Sequence, residues 1–453
     1  MPDHLIDKYN VAAPRYTSYP TVPYWENDRF NEEEWQKTVK MSFAESNKTE
    51  GISIYIHLPY CESLCTYCGC NTRITKNHGV EQPYIQAILK EWEMYLAIMG
   101  EKPVISELHL GGGTPTFFSP ENLATLIKGI TAKATIHSSA EFSFEAHPAN
   151  TTAVHLDTLY KLGFRRLSLG IQDFDPKVQA IINRHQSYEQ VAEVTLEARR
   201  LGYTSINYDL IYGLPLQTLG GLIDTMNLVA NLMPDRIAFY SYAHVPWIKP
   251  GQRLFTENDL PDVEEKNELY EVGRSLLKHY GYLEIGMDHF ALPTDSLTLA
   301  EASGNLHRNF MGYTNQHTQL LIGLGVSAIS DSWYAFAQNV KTVEGYISTV
   351  NNNVIPVVKG HLLNDEDLVL RRHILNLMCK GATNWKGNPP YCDALFEGFE
   401  RLKPMLEDGL VWLTPSEIKV TPAGKRFLRN ICMALDARLW EKKPESQLFS
   451  MAV

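Results

Sequence analysis

Cys61, Cys65 and Cys68 follow a strand-like run, Ile52 to Leu58, in the spacing Cys-x3-Cys-x2-Cys. Three thiolates in one short loop can converge on one point, and three suit a four-iron cluster whose last iron stays open to a ligand that is not protein. Zinc is the alternative, but closed zinc sites draw two close cysteine pairs from separate segments, and the sequence has no second CxxC pair. A two-cluster ferredoxin would need a repeated cysteine run. Cys70 offers a fourth thiol, but its one-residue spacing from Cys68 strains joint ligation, so it is read as a neighbour of the cluster. Cys379, Cys392 and Cys432 are scattered late in the chain and read as buried fillers.

Something must hold that loop in place. Between Ile52 and Val245, short apolar runs alternate with loops and longer stretches of helical periodicity. The runs are Ile52 to Leu58, Val104 to Leu110, Glu141 to Ala146, Arg166 to Ile171, Ser205 to Tyr212 and Arg236 to Tyr242. Six strand-helix units in series imply a parallel sheet with right-handed crossovers, hence an α/β fold built as a barrel or an incomplete (β/α) barrel. In such folds the reactive residues collect where the strands end. Here those ends carry the cysteines, Gly111-Gly112-Gly113-Thr114-Pro115-Thr116, Glu145 with His147, and Gln172 with Asp173. His57, His147 and His244 near these ends are read as hydrogen-bonding residues outside the site.

The chain divides into an N-terminal arm (1–48), the barrel (49–350) and a small, mostly helical C-terminal domain with a β-hairpin (351–453). The arm carries Pro14-Arg15-Tyr16-Thr17-Ser18-Tyr19-Pro20, too short and proline-bounded to fold alone, and is expected to pack on the barrel. The C-terminal domain resembles a winged helix in outline but lacks a basic stripe. With 453 residues, 44% hydrophobic and 21% charged, the chain is globular, not disordered or collagen-like. A net charge of -11 argues against nucleic acid as a partner, so any acidic substrate must meet locally placed cations. Met1 to Asn10 has no signal-peptide pattern and no apolar run is long enough to span a bilayer, so a reducing cytoplasm is expected.

The cysteine motif after a strand, with a glycine-rich turn after the next, resembles the radical S-adenosylmethionine superfamily. The likeness extends to Tyr55-Ile56-His57-Leu58-Pro59-Tyr60-Cys61, Cys68-Gly69-Cys70-Asn71, Gln172-Asp173-Phe174, Asn183-Arg184, the run from Asp209 to Pro215, Tyr242-Ala243-His244, the arm motif and the run from Gly323 to Ser330. Over nearly the whole chain these resemble the oxygen-independent coproporphyrinogen III oxidase family. The resemblance implies an enzyme of haem biosynthesis that decarboxylates two propionates of coproporphyrinogen III to vinyl groups, giving protoporphyrinogen IX. The agent is a 5'-deoxyadenosyl radical from reductive cleavage of S-adenosylmethionine.

By matching motif, Cys61, Cys65 and Cys68 hold one [4Fe-4S] cluster. Tyr55, Gly112, Glu145 and Ile329 line the cluster-bound S-adenosylmethionine. Tyr67, Gly113, Thr114, Gln172, Arg184, Asp209 and Ala243 match contacts to a second S-adenosylmethionine. The types agree, since carboxylates suit ribose hydroxyls and a sulfonium, and Arg184 suits a carboxylate. The structural alternative is that Glu145 or Asp209 pairs with a barrel arginine such as Arg166. Arg15 is the candidate cation for the substrate's carboxylates. The family reading also implies a low-potential electron donor such as flavodoxin or ferredoxin, and a monomer. Met311 stands where family members commonly carry Gln. Two rivals remain open: another radical enzyme with a different substrate, and a haem-binding chaperone on the same barrel. Such chaperones generally lack the arm and usually have Phe where Cys70 stands.

Overall fold

The computed structural model describes residues 3–247, 249–386, 391–442 and 448–452. Residues 1, 2 and 453, at the ends of the anticipated arm and C-terminal segment, lie outside the described residues.

Seven parallel strands form the centre of one large sheet, in the order Leu320–Leu324, Ile52–Leu58, Val104–Gly112, Thr135–Ala146, Arg166–Gln172, Ser205–Tyr212 and Arg236–Ser241. The six expected strands are all present, and Leu320–Leu324 adds a seventh beside the first. Antiparallel strands extend both edges. His289–Ala291 and Leu283–Ile285 follow Arg236–Ser241, while Ile329–Asp331, Ala335–Asn339 and Val357–Leu362 follow Leu320–Leu324. Among the described residues the two edges do not pair with each other, so the twelve-stranded sheet stays open, an incomplete barrel. Its last edge strand lies beyond residue 350, so the sheet continues past the position where the helical part was expected to begin.

Period-two alternation explains why the barrel interior can host chemistry. In Ile52–Leu58, the fully buried Ile52, Ile54, Ile56 and Leu58 alternate with Ser53, Tyr55 and His57. The same rhythm puts Glu107 and His109, Ser143 and Glu145, and Asn207 and Asp209 on the walls of an interior cavity. The opposite face packs a large apolar core with the surrounding helices, including Trp92, Leu126, Leu159 and Val194. Each fully buried aliphatic side chain there contributes roughly 1.5–3 kcal/mol.

The C-terminal part contains helices Asp365–Lys380, Asp393–Glu407 and Leu428–Ala434 and the expected hairpin, Val411–Thr414 with Glu417–Val420, joined by Ala382–Asn384. The arm does not rest on the barrel alone. Leu5, Tyr9, Tyr16 and Tyr19 belong to the core of the C-terminal helices. Arg429 secures the arrangement by donating to carbonyl oxygens of the arm, including Pro14 O at 3.2 Å, and to Met451 O at 2.7 Å. Among the described residues no helix is long and apolar enough to cross a membrane.

Candidate active site

At the C-terminal rim the chain leaves the first strand at Pro59, and the cysteine loop is tied down along its length. Tyr60–Cys61 pairs with Arg73–Ile74. His57 Nε2 meets Asn71 O at 2.9 Å and so ties the end of the loop to the first strand. On the far limb, Asn183 Nδ2 donates to Leu64 O at 2.7 Å and Thr66 N to Ile182 O at 3.0 Å. Asn183 is therefore a positioning residue, adjacent in sequence to Arg184.

The three thiols share one cavity of about 280 Å³. Each has a polar neighbour: Cys61 Sγ lies 3.3 Å from Thr114 Oγ1, Arg184 Nη1 donates to Cys65 Sγ at 3.7 Å, and the Cys70 N–H to Cys68 Sγ at 3.4 Å. Burial pushes the Cys61 thiol up to about 11. Hydrogen bonding from Cys70 outweighs burial at Cys68 and brings that thiol down to about 6. Cys70 thus serves its neighbour's sulfur as a donor. Among the described residues no three His, Cys, Asp or Glu side chains converge on a single-ion site, and the three thiols stand spread around the cavity. Three free thiols spread around a cavity with donors aimed at their sulfurs fit a four-iron cluster with one open iron.

The glycine turn closes one wall. Gly112 has φ +112°, and a Cβ there would meet the His57 ring at 2.8 Å; at Gly113 it would meet the Pro59 carbonyl at 2.6 Å. Close packing on the first strand, a reason internal to the protein, thus requires glycine at both positions. Thr114 N donates to Tyr60 O at 3.0 Å, which joins the turn to the cysteine loop.

Glu145 and Asp209 both face the cavity, from strands that flank Arg166–Gln172. Gly112 N donates to Glu145 Oε2 at 3.2 Å, and His109 Nε2 lies 3.5 Å from Oε1. Enclosure works against ionisation, but the His109 contact and the Gly112 N–H hold the Glu145 carboxyl below its ordinary range. Asp209 accepts from Ser168 Oγ at 3.0 Å and from Asn207 Nδ2 at 2.9 Å. Burial, then repulsion from Glu145, lifts it to about 6. Neither carboxylate pairs with Arg166, which takes Glu141 instead. Arg184 donates Nη2 to Gly170 O, while its buried Nε has no partner and is free for a ligand's acceptor.

The cavity brings together Cys61, Cys65, Cys68, Tyr67, Gly112, Gly113, Thr114, Glu145, Gln172, Arg184 and Asp209. Tyr55, Ala243, Ile329 and Arg15 do not line it. Tyr55 stacks on His109 at 6.0 Å behind Glu145, and Ile329 begins the strand two places away in the sheet. Arg15 is held by Asp288 at 2.8 Å and donates to Ser241 O at 3.3 Å. In the motif Gln172-Asp173-Phe174, Asp173 is wholly buried and structural, accepting from Gln217 Nε2 at 2.6 Å and Thr225 Oγ1 at 2.8 Å.

Other participants went unread in the sequence. Gln252 is 2% exposed and donates to both Tyr67 O, at 3.3 Å, and Ala243 O, at 3.2 Å, holding two expected contact residues together. A second chamber of about 210 Å³ continues into the barrel, sharing Glu145, Ser168, Asp209 and Tyr240 with the first. His289, Asn309 and Met311 line it. The alternating polar residues of the strands were the available signal for this chamber.

An open parallel α/β sheet with three loop thiols and a glycine turn at its C-terminal rim is the architecture of a radical S-adenosylmethionine enzyme, and the Radical SAM superfamily pattern matches residues 55–229. Oxygen-independent coproporphyrinogen III oxidase of Synechocystis is 36% identical over 99% of this chain and 97% of its own length. That of Escherichia coli is 37% identical over 99% and 98%. The solved structure of the Escherichia coli coproporphyrinogen III oxidase, described as a radical SAM enzyme, superposes with a TM-score of 0.88 at 36% identity, covering 93% of this chain and 97% of that one. The chain belongs to the oxygen-independent coproporphyrinogen III oxidase family.

Proposed function

We propose that the protein carries out the anaerobic oxidative decarboxylation of coproporphyrinogen III to protoporphyrinogen IX in haem biosynthesis, turning two propionate side chains into vinyl groups. The observation that carries this is full-length identity of 36–37% to enzymes of that name. The rim cavity supports the same reading, with three thiols and two carboxylates facing one space.

Cys61, Cys65 and Cys68 would hold the [4Fe-4S] cluster, with S-adenosylmethionine at its open iron. When bound, the pair supplies one-electron cleavage to a deoxyadenosyl radical able to take a hydrogen atom from a propionate β-carbon. Loss of that hydrogen atom, carbon dioxide and one electron leaves the vinyl group. The chain's own residues bind and orient. Glu145, charged and held by Gly112 N–H, offers an acceptor to a cationic or hydroxylic group. The free Nε of Arg184 suits a carboxylate, and Asp209 in the same cavity suits a second nucleoside, so the reading includes two S-adenosylmethionine molecules. Tyr55 and Ile329 back the first and Tyr67, Gly113, Thr114, Gln172 and Ala243 the second. The reading also includes a low-potential flavodoxin or ferredoxin as donor, a monomeric state and a reducing cytoplasm, which suits seven free cysteines.

The test is direct. Reconstituted, dithionite-reduced protein is given coproporphyrinogen III and S-adenosylmethionine without oxygen, and tetrapyrroles and 5'-deoxyadenosine are quantified together. Formation of protoporphyrinogen IX with matching 5'-deoxyadenosine is expected. Deoxyadenosine without any vinyl product would assign the chain to a different substrate, and neither product would remove the reading.

A further inference from the structure

A separate cavity of about 430 Å³ lies on the helix side of the sheet, where the strand end Tyr212, the segment containing His244 and Trp247, and the start of helix Val263–His279 meet. Adjacent residues of one strand divide it from the active site: Ile211 lines the cluster cavity and Tyr212 this one. Tyr212, Trp247 and Tyr270 give it aromatic walls, and Lys266 and Arg426 face it.

The cations around this cavity differ in what holds them. Arg15 has Asp288, and Arg426 has Glu271 and Asn267. Arg429 is engaged by backbone carbonyls of the arm and of the C-terminal segment. Lys266 Nζ donates to Tyr242 O at 3.2 Å and has no carboxylate partner among the described residues. The charges that bear on it are Arg15 and Arg429, both positive, and together with burial they hold its ammonium down at about 8. Of the acids lining the cavity, Asp262 is engaged as a helix cap, accepting from Glu265 N at 2.8 Å, and Glu257 bears on His244. With Arg15 and Arg429 bearing on it and no carboxylate in contact, the Lys266 ammonium lacks a paired counter-charge, and an anion entering the cavity supplies it.

We propose that this cavity is an anchoring subsite in which Lys266 takes a propionate carboxylate of the tetrapyrrole, the aromatic walls hold the ring edge that carries it, and another propionate is thereby presented across the rim to the cluster cavity. The inference rests on the substrate reading above and moves the anchoring charge from Arg15 to Lys266. A macrocycle with several carboxylates suits two cavities back to back, because one carboxylate is held while another reacts. Lys266 is on this account a binding residue, remote from the reacting carbon.

The test uses reconstituted holoenzyme and coproporphyrin III, the oxidised, unreactive analogue with the same four carboxylates, titrated by its fluorescence. Lys266→Gln and Lys266→Met are expected to weaken binding by about tenfold or more, the scale of losing one charge-assisted contact. Lys266→Arg should keep most of the affinity. In turnover the Gln and Met variants should raise KM for coproporphyrinogen III with little change in kcat, while thermal stability and substrate-free cleavage of S-adenosylmethionine stay at the parent level. Parent-like affinity for coproporphyrin III in either neutral variant, or no binding by the parent, overturns the subsite. A parent that converts coproporphyrinogen III while the neutral variants keep its KM refutes the subsite alone. A parent that converts none refutes the functional reading first.

Discussion

The two ends of the barrel interior handle charge in opposite ways. Towards the start of the strands, Arg236 Nε meets Asp295 at 2.6 Å with both side chains nearly inaccessible, and Arg166 is paired with Glu141. At the C-terminal rim, Glu145 and Asp209 line a cavity with no arginine paired to either among the described residues, and the Nε of Arg184 is buried without a partner there. A buried ion pair neutralises its own charge and holds the fold, even where a single atom such as Arg236 Nη1 keeps no partner, whereas carboxylates that line a cavity without a cation of their own can receive the charge of a ligand. The same contrast recurs outside the sheet between Arg15, closed by Asp288, and Lys266, left without a carboxylate.

The largest effect is expected from removing what the open end is built to hold. Cys61→Ser, Cys65→Ser and Cys68→Ser should each lose the four-iron cluster and all vinyl formation, read as iron content and product. Cys70→Ser should retain the cluster, since Cys70 meets Cys68 only as a donor. A full cluster in any of the first three variants breaks the assignment of the open end.

Next comes the closed end. Arg236→Met leaves Asp295 buried without its charge partner and should cost about 3–5 kcal/mol of unfolding free energy. Chemical denaturation measures this, and the fraction that remains folded should cleave S-adenosylmethionine at the parent rate. A stable variant with lost cleavage would show that this pair serves the chemistry, and the contrast would fail. The smallest effect is expected at Arg15→Ala. Arg15 is already paired with Asp288 and so offers a substrate little free charge, and turnover should fall only a few-fold, less than for Lys266→Gln. A larger loss at Arg15 than at Lys266 would return the anchoring role to the arm.

What the sequence made legible follows from how local each signal is. The cluster ligands sit within one loop, so their spacing announces them. The first six parallel strands are contiguous apolar runs between turn signals and were found as such. Of the strand Leu320–Leu324 the sequence motif takes in only Gly323 and Leu324, because the strand is short and is followed at once by an antiparallel hairpin. The polar inner face was hidden by the apolar residues that alternate with it. Glu141 and Glu145 each stand two residues from Ser143, the register partner of Arg166, so the sequence does not say which carboxylate the arginine takes. Lys266 reads as an ordinary helical lysine, since the pieces that enclose it, Ile6, His244 and Arg426, come from distant parts of the chain.

Asp209 tests the contrast most directly, because a ligand-awaiting acid and a structural acid respond oppositely to Asp209→Asn. Its folded value, about 6, lies above the ordinary 3.8, so the folded protein binds that proton more tightly than the unfolded chain, and stability is lost as pH rises from about 3.8 through about 6. Removing the charge should therefore raise the unfolding free energy of the protein without added ligand at pH 8 by about 3 kcal/mol, with the gain shrinking towards pH 4. The decisive measurement is thermal unfolding at pH 8 alongside anaerobic 5'-deoxyadenosine formation, for Asp209→Asn against the parent. The account predicts a variant at least as stable as the parent that forms 5'-deoxyadenosine at least tenfold more slowly, as expected for losing one charged contact. A destabilised variant with an unchanged cleavage rate would contradict it.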